Sequence, residues 1–196
     1  MSSRDYVIEK QKTDFKEGVK AQHVFRDLMI NLGFQCQEAT DYQDKYEHWD
    51  LLTFERLDGE LNVLRYDVKG LKAGIKKGYA VMEIQTIDSR VGWLYAELMD
   101  VLVLEVEDSF LFINRKELAT LMDGILLLKD VEYGTNEIYS SYDVKFDDLR
   151  HYERYKRDSW GNDDITFKAP FEDFMHLVYQ KLNKSDGKLE RIIKNW

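Results

Sequence analysis

Tyr66-Asp67-Val68-Lys69-Gly70 sets an acid and a lysine two residues apart, with a glycine directly behind them. On an extended strand, residues two apart share a face, so Asp67 and Lys69 point one way while Tyr66 and Val68 point the other. Upstream, residues 61–69 read as a strand, with Asn62, Leu64, Tyr66 and Val68 on one side and Val63, Arg65, Asp67 and Lys69 on the other. Residues 49–55 read as the preceding strand. The two join through Leu57-Asp58-Gly59-Glu60, in which Asp-Gly is a strong hairpin signal. Antiparallel pairing across that hairpin brings Asp50, near the start of one strand, beside the end of the next. Two carboxylates and an ammonium group then meet at one spot, the composition that metal-assisted phosphodiester hydrolysis uses.

The short motif alone is a weak signal. The chain holds four acid-x-lysine matches, Asp14/Lys16, Asp67/Lys69, Asp143/Lys145 and Asp186/Lys188, and about three are expected by chance from its acid and lysine content. Context separates them. Tyr-Asp-Val-Lys recurs at residues 142–145, but that copy lacks a Gly-turn hairpin and a preceding acid-bearing strand. Taken singly, Asp67 and Lys69 read as a solvent-facing ion pair and Asp50 as a turn cap. The hairpin placement and the segment that follows select the site reading. Residues 69–78 hold Lys69, Lys72, Lys76 and Lys77 with three glycines and no acid, a cationic loop beside the site whose plain alternative is a solvated lysine loop. In the next strand, residues 79–86, alternation groups Tyr79, Val81, Glu83 and Gln85, so Gln85 or Glu83 is available to the same cleft.

Composition bounds the rest. The chain has 196 residues, 44% hydrophobic and 13% aromatic, enough for an ordered globular core. Its one cysteine, Cys36, excludes an internal disulfide and any cysteine-based zinc site, in keeping with a reducing compartment. No apolar leader opens the sequence, and the longest apolar runs, near residues 101–104 and 125–128, are too short to span a bilayer. A soluble, cytoplasmic protein with no membrane partner is expected. The net charge of −9 argues against a general nucleic-acid coat, yet it is compatible with one basic face around an acidic metal site. His23, His48, His151 and His176 show no metal-ligand spacing; His48, two residues before Asp50, is within reach of a phosphate. Trp93 and Tyr95 read first as core aromatics and second as stacking surfaces for unpaired bases.

Residues 14–32 read as the first helix, with Asp14 and Glu17 at capping-box spacing and Gly33 as its stop. Residues 34–39 read as a short strand, followed by a polar loop with Asp41, Asp44, Lys45 and Glu47. Residues 101–106 and 110–114 read as a strand pair, and Asn114 with Glu117 starts a helix near Arg115. A tyrosine-rich polar stretch precedes a late strand at residues 164–168, and Pro170 is suited to open a helix through Leu182.

This order of helix, strand, loop, Trp49-Asp50, Asp-Gly hairpin, Asp67-Val68-Lys69-Gly70, lysine loop and further strand resembles the PD-(D/E)xK nuclease superfamily, which includes restriction endonucleases and archaeal Holliday-junction resolvases. The resemblance covers residues 14–114. Gly92-Trp93-Leu94-Tyr95 followed by Asp100-Val101-Leu102 is similar to small virus-encoded members. The resemblance implies an α/β fold with a restriction-endonuclease-like core, a mixed central β-sheet flanked by helices, and a C-terminal helical appendage. Residues 1–129 would form the nuclease core, 130–160 an inserted or accessory segment, and 161–196 a late strand and C-terminal helices packing on that core as one domain. It further implies a magnesium-dependent nuclease cutting DNA or branched DNA as an endonuclease, with a homodimer as the assembly. Asp50 and Asp67 would bind Mg²⁺ or Mn²⁺, and Lys69 would orient or polarise the attacking water. Gln22 stands where a helix glutamate often assists the metal, and Lys72, Lys76, Lys77, His48 and Gln85 are the expected nucleic-acid contacts. Two departures are visible: Trp49 replaces the family's proline, and the Gln22 amide brings no charge, which weakens a second metal. The competing expectation is a nuclease-fold protein of weak or absent activity that binds nucleic acid or inhibits a protein partner. Gln22, the acidic total and the tyrosine-rich segment favour it.

Overall fold

A computed structural model describes residues 3–57, 60–71, 78–86, 90–125, 154–159 and 162–192. Helix α1 (Ser3–Asn31) buries Ala21, Phe25 and Met29, a spacing of four that keeps one face inward. Gly33 ends it at φ 93°, a conformation open to glycine. Strand β1 (Gln35–Glu38) follows. The expected polar loop is instead a helix, α2 (Asp41–Glu47), because Thr40 and Gln43 form a capping box. Gln43 N donates to Thr40 Oγ1 at 3.3 Å and Thr40 N donates to Gln43 Oε1 at 3.0 Å, satisfying two otherwise orphaned donors.

Strands β2 (Leu51–Leu57) and β3 (Glu60–Lys69) pair antiparallel, with Leu51 opposite Tyr66. After β4 (Tyr79–Gln85) and a 3₁₀ turn (Trp93–Tyr95), strand β5 (Val101–Glu105) returns parallel to β3. Strand β6 (Ser109–Asn114) leads into helix α3 (Arg115–Ile125), where Glu117 N donates to Asn114 Oδ1 at 3.1 Å. Strands β7 (Arg154–Ser159), β8 (Asn162–Pro170), β9 (Val178–Asn183) and β10 (Leu189–Arg191) complete the described elements. They form a seven-stranded mixed sheet ordered β1-β2-β3-β5-β6-β9-β10 and a three-stranded antiparallel sheet ordered β4-β8-β7. The chain is therefore α/β, with a large mixed sheet flanked by helices.

The large sheet separates two apolar layers. On one face, Phe25 of α1 meets Tyr66, Phe110 and Phe112 with ring centroids 5.6, 5.3 and 5.5 Å away, and Val68, Val101 and Val103 join them. On the other, Leu102, Leu104, Leu111 and Ile113 pack with Met82 and Ile84 of β4, Trp93 and Leu94, and Leu118 and Met122 of α3. The β3/β5 pair is pinned at both ends. Arg65 N donates to Asp100 Oδ2 at 2.9 Å before the motif, and Leu71 N donates to Glu105 Oε2 at 2.7 Å just after it. Lys184 Nζ, 2.9 Å from Glu105 Oε1, holds that second carboxylate in place.

A second sequence expectation is corrected at the C-terminal end of the described chain. The helix through Leu182 does not form: Phe171–Phe174 makes a single turn, a 3₁₀ turn follows at Met175–Leu177, and the chain then enters β9. Strand β6 is buried on both faces, and its second edge offers a row of backbone donors and acceptors that a strand can satisfy and a helix cannot. The C-terminal part of the described chain is thus strand rather than helical appendage. The tyrosine-rich segment lies outside the described residues except for Arg154–Ser159, which pairs with β8. Gly59 and the hairpin turn, and Lys72, Lys76 and Lys77 of the cationic loop, also lie outside them. Among the described residues, no helix is long and apolar enough to cross a membrane.

Glycine is required where the 3₁₀ turn crosses β4, since a Cβ on Gly92 would stand 2.4 Å from Glu83 O and 2.6 Å from its carbonyl carbon. Gly124, in α3, has nothing within 4 Å of the equivalent point. Urea denaturation should give opposite signs for the two sites. Gly92→Ala is expected to lose about 2–3 kcal/mol by overpacking against backbone, and Gly124→Ala to gain up to ~1 kcal/mol of helix propensity.

Candidate active site

Alternation in β3 sends Tyr66 and Val68 into the α1 layer, which leaves Asp67 and Lys69 on the opposite face, toward Trp93 and β4. Asp67 is 3% exposed, and its Oδ2 lies 2.7 Å from Lys69 Nζ. Among the described residues, Lys69 is the ion-pair partner of this buried oxygen. The Lys69 ammonium also stands 5.4 Å from the centre of the Trp93 ring, a cation–π contact that confines its stem. Gly70, next in sequence, packs on α1: a Cβ there would fall 3.1 Å from Glu17 O and 3.3 Å from the Ala21 methyl.

Asp50 reaches the same place from the residue before β2. Its backbone N donates to Tyr66 O at 2.7 Å, and its Oδ2 accepts from Val68 N at 2.6 Å. The side chain therefore takes up a backbone donor where the ladder ends, which fixes the carboxylate beside Asp67 without a further strand residue. Burial pushes the Asp50 carboxyl well above the usual carboxylate range, and the Asp67 charge pushes it further; Lys69 and the Val68 amide pull it back only in part. Burial by itself would lower the Lys69 pKa. The carboxylates of Asp67, Asp50 and Glu83 outweigh burial and raise it, so Lys69 stays an ammonium at neutral pH.

The sequence-selected residues divide as follows. Asp50, Asp67 and Lys69 come together. Gln85 is 4% exposed on β4, and its Oε1 has no hydrogen-bond partner among the described residues; its backbone bridges to Val91. His48 ends α2, with its Nε2 2.8 Å from Val91 O. Gln22 is half-buried on α1, one residue from the crossing with Gly70. Lys72, Lys76 and Lys77 lie outside the described residues.

Two acids that sequence alone did not settle belong to the same electrostatic group. Glu83, one of two alternatives in β4, acts on Lys69. Asp44 arrives on α2: burial raises its pKa, Lys69 lowers it and Asp67 raises it again. The Thr40-x-x-Gln43 capping box was the signal that could have placed Asp44 on a helix. Trp93 was read as a core aromatic, which it is, and its ring face also serves the Lys69 ammonium.

Among the described residues, no three His, Cys, Asp or Glu side chains form a metal-binding cluster on their own. The Asp50 and Asp67 pair still suits a hard divalent cation. Mg²⁺ takes oxygen ligands, keeps several waters and needs only one or two carboxylates beside a substrate phosphate. The raised Asp50 pKa records burial first and the Asp67 charge second, which Lys69 offsets only in part, and a dication bound there would favour the ionised carboxylate. No protein-family model, curated protein or solved structure matches this chain.

A carboxyl that holds its proton more tightly in the folded state loses stability for the fold as pH climbs from the ordinary carboxylate range through its own raised value. The raised Lys69 value has the same sign in a higher pH window: its contribution is complete below the ordinary lysine range and is lost as pH rises through its own raised value. In metal-free buffer, Asp50→Asn should therefore raise stability by about 1 kcal/mol at neutral pH, with the gain vanishing near pH 4 where the native carboxyl is protonated. Urea midpoints measured across pH 4 to 8 check this.

Proposed function

We propose that this chain is a divalent-metal-dependent nuclease with a restriction-endonuclease-like core that hydrolyses DNA phosphodiester bonds internally. The observation that carries the reading is the convergence of the Asp50 and Asp67 carboxylates on the Lys69 ammonium at the end of β3, with Asp50 held above its ordinary pKa by burial and by its neighbour's charge. A solvated strand pair does not need this arrangement. It costs stability, and such costs gather at functional sites.

A magnesium or manganese ion held by Asp50 and Asp67 would polarise the scissile phosphoryl group and favour attack by water at neutral pH. The protein's own groups do the rest. The Val68 amide occupies Asp50 Oδ2, orients the carboxylate and leaves Oδ1 for the cation. Lys69 acts as a fixed cation: its pKa is raised, so it donates to a phosphoryl oxygen and stabilises charge building there rather than accepting a proton from water. Trp93 limits the positions that ammonium can take. Gln85 Oε1, buried and without a hydrogen-bond partner among the described residues, is the acceptor available for a water or substrate donor on the β4 side.

Two measurements test this reading. With Mg²⁺ or Mn²⁺, the protein should cleave plasmid, single-stranded or branched DNA, and Asp67→Ala or Lys69→Ala should each lower kcat at least ~10²-fold. Equal products from the native protein and both variants would remove the catalytic assignment. Independently of cleavage, Mn²⁺ at ~100 times its Kd should stabilise the native protein by about 2.7 kcal/mol in thermal unfolding, and the Asp50→Asn, Asp67→Asn double variant should show no such rise.

A further inference from the structure

A groove of about 530 Å³ has Tyr46, His48, Arg90, Val91, Tyr95 and Leu98 in its walls. That volume lies within the ~300–1,000 Å³ typical of small-ligand sites. It is joined to the acid and lysine site by short steps of chain. His48 is two residues from Asp50; Val91 bridges to Gln85 and lies two residues from Trp93.

One wall, at Tyr46, is backed by a tilted aromatic pair and covered by an arginine. Tyr42 and Tyr46, one helical turn apart on α2, have ring centroids 4.7 Å apart, and the Arg90 guanidinium sits 4.4 Å from the Tyr46 centroid. Arg90 Nη1 donates to Lys45 O at 2.7 Å, which holds the guanidinium plane to the end of the helix. Val91 and Leu98 add exposed apolar surface, 42% and 45% accessible. His48 is the one non-glycine residue with positive φ among the described residues, at φ 56° and ψ 47°, and its ring reaches across to Val91 O. Backbone held in this uncommon region marks a position that the surroundings enforce. Here it brings α2 against the 90–98 segment and shapes the groove between them.

The electrostatics choose the occupant. Glu47 and Glu97 also line the groove, so a phosphate backbone running along it would meet carboxylates. Glu47 Oε2 accepts from Trp49 Nε1 at 2.7 Å, which orients that carboxylate. A neutral, flat group with amino donors on its edge suits both the stack and the acids, and a nucleobase has that form. A base can enter only after leaving its own helix, since the groove holds one ring system and not a duplex. Stacking on tyrosine and on arginine planes is the sequence-tolerant way that proteins hold the bases of single strands.

We infer that this groove seats one unpaired nucleobase adjacent to the scissile phosphate, making single-stranded or locally unpaired nucleic acid the substrate class. This rests on the nuclease reading of the neighbouring site. The test uses the full chain in EDTA, with fluorescence anisotropy on a single-stranded DNA oligonucleotide, the matching single-stranded RNA and the blunt DNA duplex. Single strands should bind at least ~10-fold tighter than duplex, and the DNA and RNA arms identify which sugar is preferred. Tyr46→Ala, at a 48% exposed position, and Arg90→Lys, which keeps charge but loses the plane, should each weaken single-strand binding ~10-fold with unchanged thermal unfolding. Equal affinity for duplex and single strand, or native affinity in both variants, would overturn the inference. Cleavage with Mg²⁺ separates the two claims. Cleavage by a protein indifferent to strandedness and to both variants sinks the groove and keeps the nuclease. Strand-selective, variant-sensitive binding without cleavage sinks the nuclease and keeps the groove.

Discussion

Burying acids on the face of a sheet demands a compensating cation, and Lys69 meets that demand for Asp67 at 2.7 Å. Much of the surrounding architecture serves this pair. Gly70 lets α1 cross directly behind it, Gly92 lets the 3₁₀ turn lie on the β4 backbone, and that turn delivers the Trp93 ring to the ammonium. Asp100 and Glu105 clamp the β3/β5 pair on either side of the motif, so the strand carrying the charges is among the better-tethered parts of the large sheet.

The two faces of that sheet share the work unequally. The α1 face is apolar and aromatic around Phe25, Tyr66, Phe110 and Phe112, each worth roughly 1.5–3 kcal/mol when fully buried. The opposite face carries an equally buried apolar layer, but at the end of β3 it yields to carboxylates. Lys69 balances Asp67, whereas Asp50 remains strained by burial and by its neighbour's charge. An apolar residue at that position would cost less. The apolar layers on both faces supply the stability that tolerates such a site.

Helix α2 links the site to the surface groove. Its capping box starts it, its fourth residue, Asp44, joins the electrostatics of the motif, and its left-handed end at His48 turns the chain back toward Trp49 and Asp50. Trp49 is 1% exposed and donates its indole N–H to Glu47, so the reversal is anchored in packing as well as by the His48 ring. One seven-residue element thereby sets both a member of the acidic group and one wall of the groove.

Local chemistry in the sequence determined the motif face, the β2/β3 pairing that carries Asp50 to Asp67, the α1 stripe with its Gly33 stop and the Asn114 cap of α3, because two-residue and four-residue periodicities and capping act within a few residues. It also contained the Thr40 and Gln43 capping box, although seven polar residues without an apolar stripe read as loop. Tertiary structure decided what local pattern could not. The segment from Val178 became a strand because the exposed edge of β6 needed backbone partners, which outweighed the helix signal after Pro170. Glu83, Asp44 and Trp93 joined Asp67 and Lys69 only through packing of elements distant in sequence, and whether Lys69 would be a cation or a base depended on how many carboxylates that packing placed around it.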